Sequence, residues 1–287
     1  MNSFGKKCLS NLDKYKMGKL KTTVSLLVLT CWINTILAQT DFGVFLKADG
    51  FDGSITILDY KNNKWLYSDT SDAKKATLPA STFKIINSCI ALETNVIEDE
   101  NEVIKWNGEI RKFQGEPVIA WNRDTYLKDA FQNSTIWFYV ELAKRIGNRN
   151  YREFLSKCHY GNGKINNDTD GDFWNYGDFA VTPINQIEFL QAIYERKLPF
   201  SERTYKIVEE IMIDEKTENY TIRGKTGWTT KHGKDIGWWV GYIEVKDNVY
   251  FFATRLIKGI NDDKPNFSKA RKEIVRKAFK EIGVLQD

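Results

Sequence analysis

Apolar and polar residues alternate over short stretches near both ends of the chain, a pattern typical of half-buried β-strands. Early strands are predicted at 43–45, 54–59 and 64–67, with a turn at Lys61-Asn62-Asn63. Late strands are predicted at 220–225, 237–245 and 249–256, and the last two form a hairpin around Lys246-Asp247-Asn248.

The middle of the chain and its C-terminus carry helical periodicity instead. Helices are predicted at 80–92, 129–146, 182–195 and 269–282, and a Gly/Asn/Asp-rich loop is predicted at 159–175. This order predicts an α+β fold: one mainly antiparallel β-sheet flanked by helices, with a helical region inserted between its strands.

The positive charge of the chain is confined to its N-terminus. The 287 residues include 42 Lys or Arg and 38 Asp or Glu, a net charge of +4. Residues 1–38 hold six lysines against Asp13, so the remainder is close to neutral and slightly acidic. The charge therefore gives no reason to expect a nucleic-acid partner.

The N-terminal segment has the layout of an export signal. A lysine-rich stretch ends at Lys21, and the apolar stretch 23–38 that follows is short and interrupted for a membrane span. We expect a signal peptide at 1–38 and a single domain at 39–287, with no stable membrane span after cleavage. An uncleaved anchor, a lipoprotein cysteine at Cys31 and a start at Met17 are the alternatives.

Several kinds of site are disfavoured by composition. Only two histidines, His159 and His232, occur, and no histidine or cysteine pair has zinc spacing, so we expect no metal site. Cys89 and Cys158 both fall in helical contexts, which favours small buried hydrophobes, although the sequence leaves a disulfide open.

One nucleophilic pattern stands out in Pro79-Ala80-Ser81-Thr82-Phe83-Lys84. Ser81 and Lys84 are three residues apart near the start of a helix, so they share a face. Serine needs a base to act as a nucleophile, and burial favours the neutral form of a lysine. Two further elements are Ser134 and Lys225-Thr226-Gly227-Trp228. The three elements, in this order, match the set found in serine β-lactamases and penicillin-binding proteins.

The chain resembles the class D serine β-lactamases over nearly all of residues 42–287. Besides the Ser81 and Lys225 motifs, the resemblance rests on four short elements. These are Ser134-Thr135-Ile136, Tyr160-Gly161-Asn162, Phe173-Trp174 and Trp238-Trp239-Val240-Gly241. The resemblance implies hydrolysis of penicillin-type β-lactams, resistance to these antibiotics and a periplasmic location.

The resemblance also implies a role for each matching residue. Ser81 would be acylated, and Lys84 would be carboxylated by carbon dioxide, which is the only added group expected. Trp174 would hydrogen-bond the carbamate and Ile136 would keep its site dry, while Ser134 would relay a proton to the leaving nitrogen. Lys225, Thr226 and Arg271 would bind the substrate carboxylate, with Arg255 as the competitor for Arg271. The oxyanion hole would be formed by the backbone N–H groups of Ser81 and Trp228, next to Gly227.

Two residues depart from the family pattern. Ile136 replaces valine, and Asn175 follows Trp174 where leucine is common, so polarity is expected near a site that should be dry. Two other functions stay open: a β-lactam-binding sensor domain and a cell-wall transpeptidase or carboxypeptidase. Sensors of this kind have several membrane spans before the domain, whereas 38 residues precede it here. The substrate spectrum and the choice between monomer and homodimer are left open.

Overall fold

The computed structural model describes residues 41–166, 171–264 and 266–286. They lie in one compact unit that spans 40–287. The expected signal segment 1–38 lies outside the described residues. No helix within the described part is both long and apolar enough to cross a membrane.

A six-stranded antiparallel sheet forms the centre of the fold, in the order β2-β1-β10-β9-β8-β7. Its strands are β1 (Asp52–Asp59), β2 (Lys64–Tyr67), β7 (Ile213–Lys216), β8 (Tyr220–Lys231), β9 (Lys234–Val245) and β10 (Asn248–Gly259). Two small two-stranded ribbons pair β3 (Val103–Ile104) with β6 (Thr125–Tyr126) and β4 (Lys112–Phe113) with β5 (Glu116–Pro117). The predicted sheet and its inserted helical region are confirmed.

The helices are α1 (Gly43–Ala48), α2 (Lys84–Glu93), α3 (Leu127–Gln132), α4 (Ile136–Lys157), α5 (Phe173–Tyr176), α6 (Pro183–Tyr194), α7 (Glu202–Ile211) and α8 (Phe267–Glu281). A 3₁₀ helix, Ala80–Phe83, leads into α2. The large core lies between the sheet and the helical region, and a smaller core lies between the other face of the sheet and α1 and α8. The site described below lies where β8 meets the start of α2.

Three local predictions are wrong. Residues 43–45 are helical, because Phe42 and Leu46, four apart, are both buried in the smaller core. The helix predicted at 129–146 is broken into α3 and α4, and Ser134 in the break has a φ of 55°. The loop predicted at 159–175 includes the start of α5, which buries Trp174. The pattern also missed α7 and β7.

Cys89 and Cys158 are buried free thiols, as the hydrophobic interpretation predicts. Burial raises the pKa of Cys89, so this thiol stays protonated at neutral pH. The two histidines are exposed and both have positive φ values, His159 after α4 and His232 in the β8–β9 turn. His232 and Gly233 form that turn, both with positive φ, as a two-residue hairpin connection requires.

Candidate active site

Ser81 and Lys84 meet at the junction between the 3₁₀ helix and α2. The Lys84 Nζ atom donates a hydrogen bond to Ser81 Oγ at 2.8 Å. Ala80, directly before the serine, has a φ of 52°, a conformation that is uncommon outside glycine. The serine is therefore held on a sharp turn, with an amine at hydrogen-bonding distance from its hydroxyl.

Lys84 is fully buried among aromatic side chains. Its Nζ lies 5.1 Å from the centre of the Tyr139 ring, and the Tyr139 hydroxyl is 2.9 Å from Ser88 Oγ. Burial lowers the pKa of Lys84, and the nearby Asp172 carboxylate opposes this shift. The pocket thus favours a neutral amine more than water does.

Trp174 packs against the same turn. Its ring stacks on Phe83 with the centres 4.9 Å apart and the planes 8° from parallel. The indole Nε1 is buried, and no hydrogen-bond acceptor for it exists among the described residues. An unpaired buried donor is costly, so this N–H suits an acceptor added to the pocket.

Ser134 and Lys225 form a second hydrogen-bonded pair. Ser134 occupies the break between α3 and α4, two residues before α4 begins. The Lys225 Nζ atom, on β8, donates to Ser134 Oγ at 2.5 Å. Burial, followed by the charges of Lys84 and Arg271, holds the pKa of Lys225 well below its usual range.

Gly227 brings β8 against the Ser81 turn. A β-carbon at this position would lie 2.9 Å from the Pro79 carbonyl oxygen and 3.2 Å from the Ser81 backbone nitrogen. The first distance is shorter than real β-carbon contacts allow. Glycine at this position therefore permits the close approach of β8 to the Ser81 backbone.

Arg271 reaches this strand from α8. Its Nη1 donates to the Gly227 carbonyl oxygen at 2.6 Å, and its guanidinium lies 5.8 Å from the centre of the Trp228 ring. Among the described residues, it bonds carbonyl and hydroxyl oxygens and pairs with no carboxylate. Burial lowers the pKa of Arg271 to about 10, which leaves it cationic at neutral pH.

Arg255, the competitor for Arg271, has a different environment. Its side chain is fully buried, and Nη2 lies 2.6 Å from Asp72 Oδ1. The same guanidinium donates to the Lys75 carbonyl oxygen at 2.7 Å and to Thr77 Oγ1 at 3.1 Å. Arg255 therefore anchors the segment before Ser81 and is not available to a substrate.

The Tyr160-Gly161-Asn162 element supports the Ser81 turn through hydrogen bonds of Tyr160. The buried Tyr160 hydroxyl donates to Gln186 Oε1 at 2.9 Å, and Gln186 Nε2 donates to Thr82 Oγ1 at 2.8 Å. Thr82 is the neighbour of Ser81. Tyr160 thus supports the residue next to Ser81 through these hydrogen bonds.

A cavity of about 790 Å³ is lined in part by Trp121, Ile136 and Asp172. The Phe113 ring contacts Trp121, which lines this cavity, and also Trp228, with ring centres 6.1 and 5.4 Å away. Sequence reasoning missed Phe113, Trp121 and Asp172. The first two fall in the weakly patterned stretch around β4 and β5, and Asp172 sits in a loop rich in similar residues.

Asn175 pairs with Asp172, which lines this cavity. Asn175 Nδ2 donates to Asp172 Oδ1 at 2.8 Å, and both side chains are buried. Burial raises the pKa of Asp172, while Lys84 and the Asn175 amide oppose the rise. The polar group expected at position 175 is therefore present, and it is hydrogen-bonded to the Asp172 carboxyl group.

No cluster of three or more His, Cys, Asp or Glu side chains suited to a metal occurs in the described ranges.

Comparison with known proteins gives a family match over most of the chain. A family model described as the penicillin binding protein transpeptidase domain matches residues 53–280. Among curated proteins, beta-lactamase OXA-48 of Klebsiella pneumoniae is 39% identical over 204 residues, which cover 71% of this chain and 75% of that protein. Beta-lactamase OXA-10 of Pseudomonas aeruginosa is 33% identical over 276 residues, covering 93% and 99% of the two chains.

Solved structures agree with these matches. The class D beta-lactamase from Sebaldella termitidis superposes with a TM-score of 0.81 at 42% identity, covering 85% of this chain and 96% of that one. The class D beta-lactamase YbXI from Nostoc gives a TM-score of 0.79, also at 42% identity, over 85% and 99%.

Proposed function

This chain belongs to the class D β-lactamases, within the penicillin-binding protein transpeptidase family, and we propose that Ser81 is the nucleophile with which it opens the β-lactam ring. The protein is a serine β-lactamase, and hydrolysis of this kind confers resistance to penicillin-type antibiotics. The observation that supports Ser81 most strongly is the hydrogen bond of 2.8 Å between its Oγ and Lys84 Nζ in a buried pocket.

In the proposed acylation, Ser81 Oγ bonds to the lactam carbonyl carbon and the ring C–N bond breaks. The nitrogen that leaves needs a proton, and Ser134 is proposed to donate one. Lys225, whose Nζ donates to Ser134 Oγ at 2.5 Å, is proposed to return a proton to that serine. The backbone N–H groups of Ser81 and Trp228 would stabilise the oxyanion, since Gly227 lets their two segments approach closely.

We propose that Lys84 carries a carboxylate added from carbon dioxide, as is typical of this family. A neutral amine is required for this addition, and burial of Lys84 favours that form. The unpaired Trp174 N–H is a suitable donor to the added oxygens, and the apolar Ile136 is proposed to keep the site dry. When present, the carbamate supplies a base for Ser81 and for the water that releases the product.

The substrate carboxylate is proposed to bind between β8 and α8. Lys225, Thr226 and Arg271 provide the positive charge and hydrogen-bond donors there. Arg271 supports this role because it is cationic, buried and without a carboxylate partner among the described residues. The proposed partners are therefore small-molecule β-lactams, and no nucleic-acid partner is proposed.

Export is proposed from the sequence of residues 1–38. The lysine-rich start and the apolar stretch that follows are suited to a cleaved signal, which would deliver residues 39–287 to the periplasm.

The assignment of Ser81 is tested by turnover of a chromogenic cephalosporin. We expect Ser81→Ala to lower kcat by roughly a thousandfold or more. Ser71→Ala, an exposed serine ten positions earlier, is the matched control and should leave kcat unchanged. Full activity in Ser81→Ala would overturn the assignment.

A further inference from the structure

Asp235 and Lys258 form a buried ion pair in the central sheet. The two residues are direct partners on β9 and β10, and Lys258 Nζ lies 2.9 Å from Asp235 Oδ2. Their side chains are 10% and 8% exposed. The other carboxylate oxygen of Asp235 accepts a hydrogen bond at 2.6 Å from Thr230 Oγ1, on the neighbouring strand β8. Apolar side chains of similar volume often stabilise a fold as well as a buried ion pair does, so stability alone is a weak explanation for this pair.

The ion pair contacts α8 through Phe267, the first residue of that helix. Lys258 Nζ lies 5.6 Å from the centre of the buried Phe267 ring, a distance at which an aromatic face attracts a cation. The Phe267 ring also contacts the Trp228 ring, with the centres 4.9 Å apart and the planes at 71°. Phe267 thus connects the ion pair to the tryptophan that follows Gly227 on β8.

Phe267 and Arg271 lie together against β9 at Gly237. They are four residues apart on α8 and therefore share a face of the helix. A β-carbon at position 237 would lie 2.7 Å from Phe267 Cζ and 2.8 Å from Arg271 Cδ. Gly237 is the direct partner of Trp228, and the Arg271 guanidinium lies 5.8 Å from the centre of the Trp228 ring. The two side chains thus occupy adjoining space on one face of the sheet, and a displaced Phe267 ring would displace Arg271 as well.

Arg271 is oriented by neutral groups among the described residues. Its hydrogen bonds go to the Gly227 carbonyl oxygen and to the carbonyl and hydroxyl oxygens of Ser268. Neutral oxygens bind a guanidinium less strongly than a carboxylate does, so the packing of Arg271 contributes more to its orientation. Phe267 supplies part of that packing.

We propose that the Asp235–Lys258 ion pair positions Arg271 for the substrate carboxylate, by holding the Phe267 ring beside which Arg271 lies. This inference rests on the carboxylate site proposed for Arg271. Asp235, Lys258 and Phe267 are positioning residues, because they act on the substrate through Arg271. Loss of the ion pair should therefore weaken substrate binding and leave the chemistry at Ser81 unchanged.

The test is a double-mutant cycle of Lys258→Met and Arg271→Ala, measured as KM and kcat of the full-length protein for a penicillin. Methionine keeps much of the apolar stem of the lysine and removes its charge. We expect Lys258→Met to raise KM roughly threefold to tenfold and to keep kcat within about twofold of the wild-type value. In the Arg271→Ala background, Lys258→Met should raise KM no further, because its effect passes through Arg271.

Lys277→Met is the matched control, because it breaks another ion pair of α8, the one with Asp49 at 3.1 Å, and it should leave KM unchanged. Circular dichroism verifies that each variant is folded. If Lys258→Met is not folded, Lys258→Met combined with Asp235→Asn leaves no unpaired charge and should raise KM in the same way.

Three results would overturn the role of the ion pair alone, provided that Arg271→Ala itself raises KM. They are an unchanged KM in the folded Lys258 variants, an equal rise in the Arg271→Ala background, and a rise of the same size in Lys277→Met. An unchanged KM in Arg271→Ala overturns the carboxylate site on which the inference rests.

Discussion

Gly227 on β8 and Ser81 in the 3₁₀ helix are in backbone contact. A β-carbon placed at position 227 would lie only 3.2 Å from the Ser81 nitrogen. The Pro79 carbonyl oxygen, 2.9 Å from the same point, belongs to the backbone and cannot rotate away. The geometry proposed for the oxyanion hole therefore depends on the absence of a side chain at this position.

Gly227→Ala should push β8 away from the Ser81 turn. We expect a loss of about 1–3 kcal/mol in the free energy of unfolding, as for other overpacked sites, and a larger proportional loss in kcat than in substrate binding. Urea unfolding and steady-state kinetics measure the two effects. Gly43→Ala is the control, since its β-carbon would meet only the Asp41 side chain. Wild-type kcat in Gly227→Ala would contradict the close-approach argument.

Lys225→Met should stabilise the protein while abolishing efficient turnover. Burial and the neighbouring cations lower the pKa of Lys225 below its reference value of 10.5, so the folded state holds this proton less tightly than the unfolded state does. The resulting destabilisation is full below the lowered pKa and shrinks as the pH rises towards 10.5. We expect a gain of about 1 kcal/mol at neutral pH, measured by urea unfolding. A stability gain that increased with pH would contradict the lowered pKa of Lys225.

Arg271 and Arg255 should respond differently to truncation. Arg271→Ala is expected to raise KM for a penicillin and leave the fold intact, because its proposed partner is the substrate carboxylate. Arg255→Ala leaves Asp72 unpaired in the protein interior and should cost about 3–5 kcal/mol of stability. Kinetics and thermal unfolding of both variants distinguish the roles, and an unchanged KM in Arg271→Ala would exclude it as the carboxylate site.

Trp174→Phe isolates the indole N–H. The ring can still stack on Phe83, and removing a buried unpaired donor offsets part of the lost ring volume, so we expect little change in Tm. The bicarbonate concentration needed for half-maximal activity should rise several-fold if this N–H holds the carbamate. A bicarbonate requirement equal to that of the wild type would assign Trp174 to packing alone.

The sequence predicted the sheet and the contact between Ser81 and Lys84 because both follow from short-range periodicity and spacing. The local backbone conformation was harder to predict at two positions. Ala80 and Ser134 adopt positive φ without being glycine, so their conformations are imposed by tertiary contacts that no local pattern reveals. Asp172 is one of several acids in its loop, and only burial beside Lys84 distinguishes it.

The central claim, a Ser81 acyl-enzyme whose release depends on bicarbonate, is tested most directly by mass spectrometry of the protein mixed with a penicillin. In bicarbonate-depleted buffer, where the Lys84 amine next to Ser81 Oγ is the remaining base, we predict slow formation of an adduct of the mass of the intact penicillin on the peptide that carries Ser81. Bicarbonate should then remove the adduct and restore turnover, and Ser81→Ala should form none. An adduct on another residue would contradict the account. So would an adduct on Ser81 that persists in bicarbonate, which is the behaviour of a sensor or a slow transpeptidase.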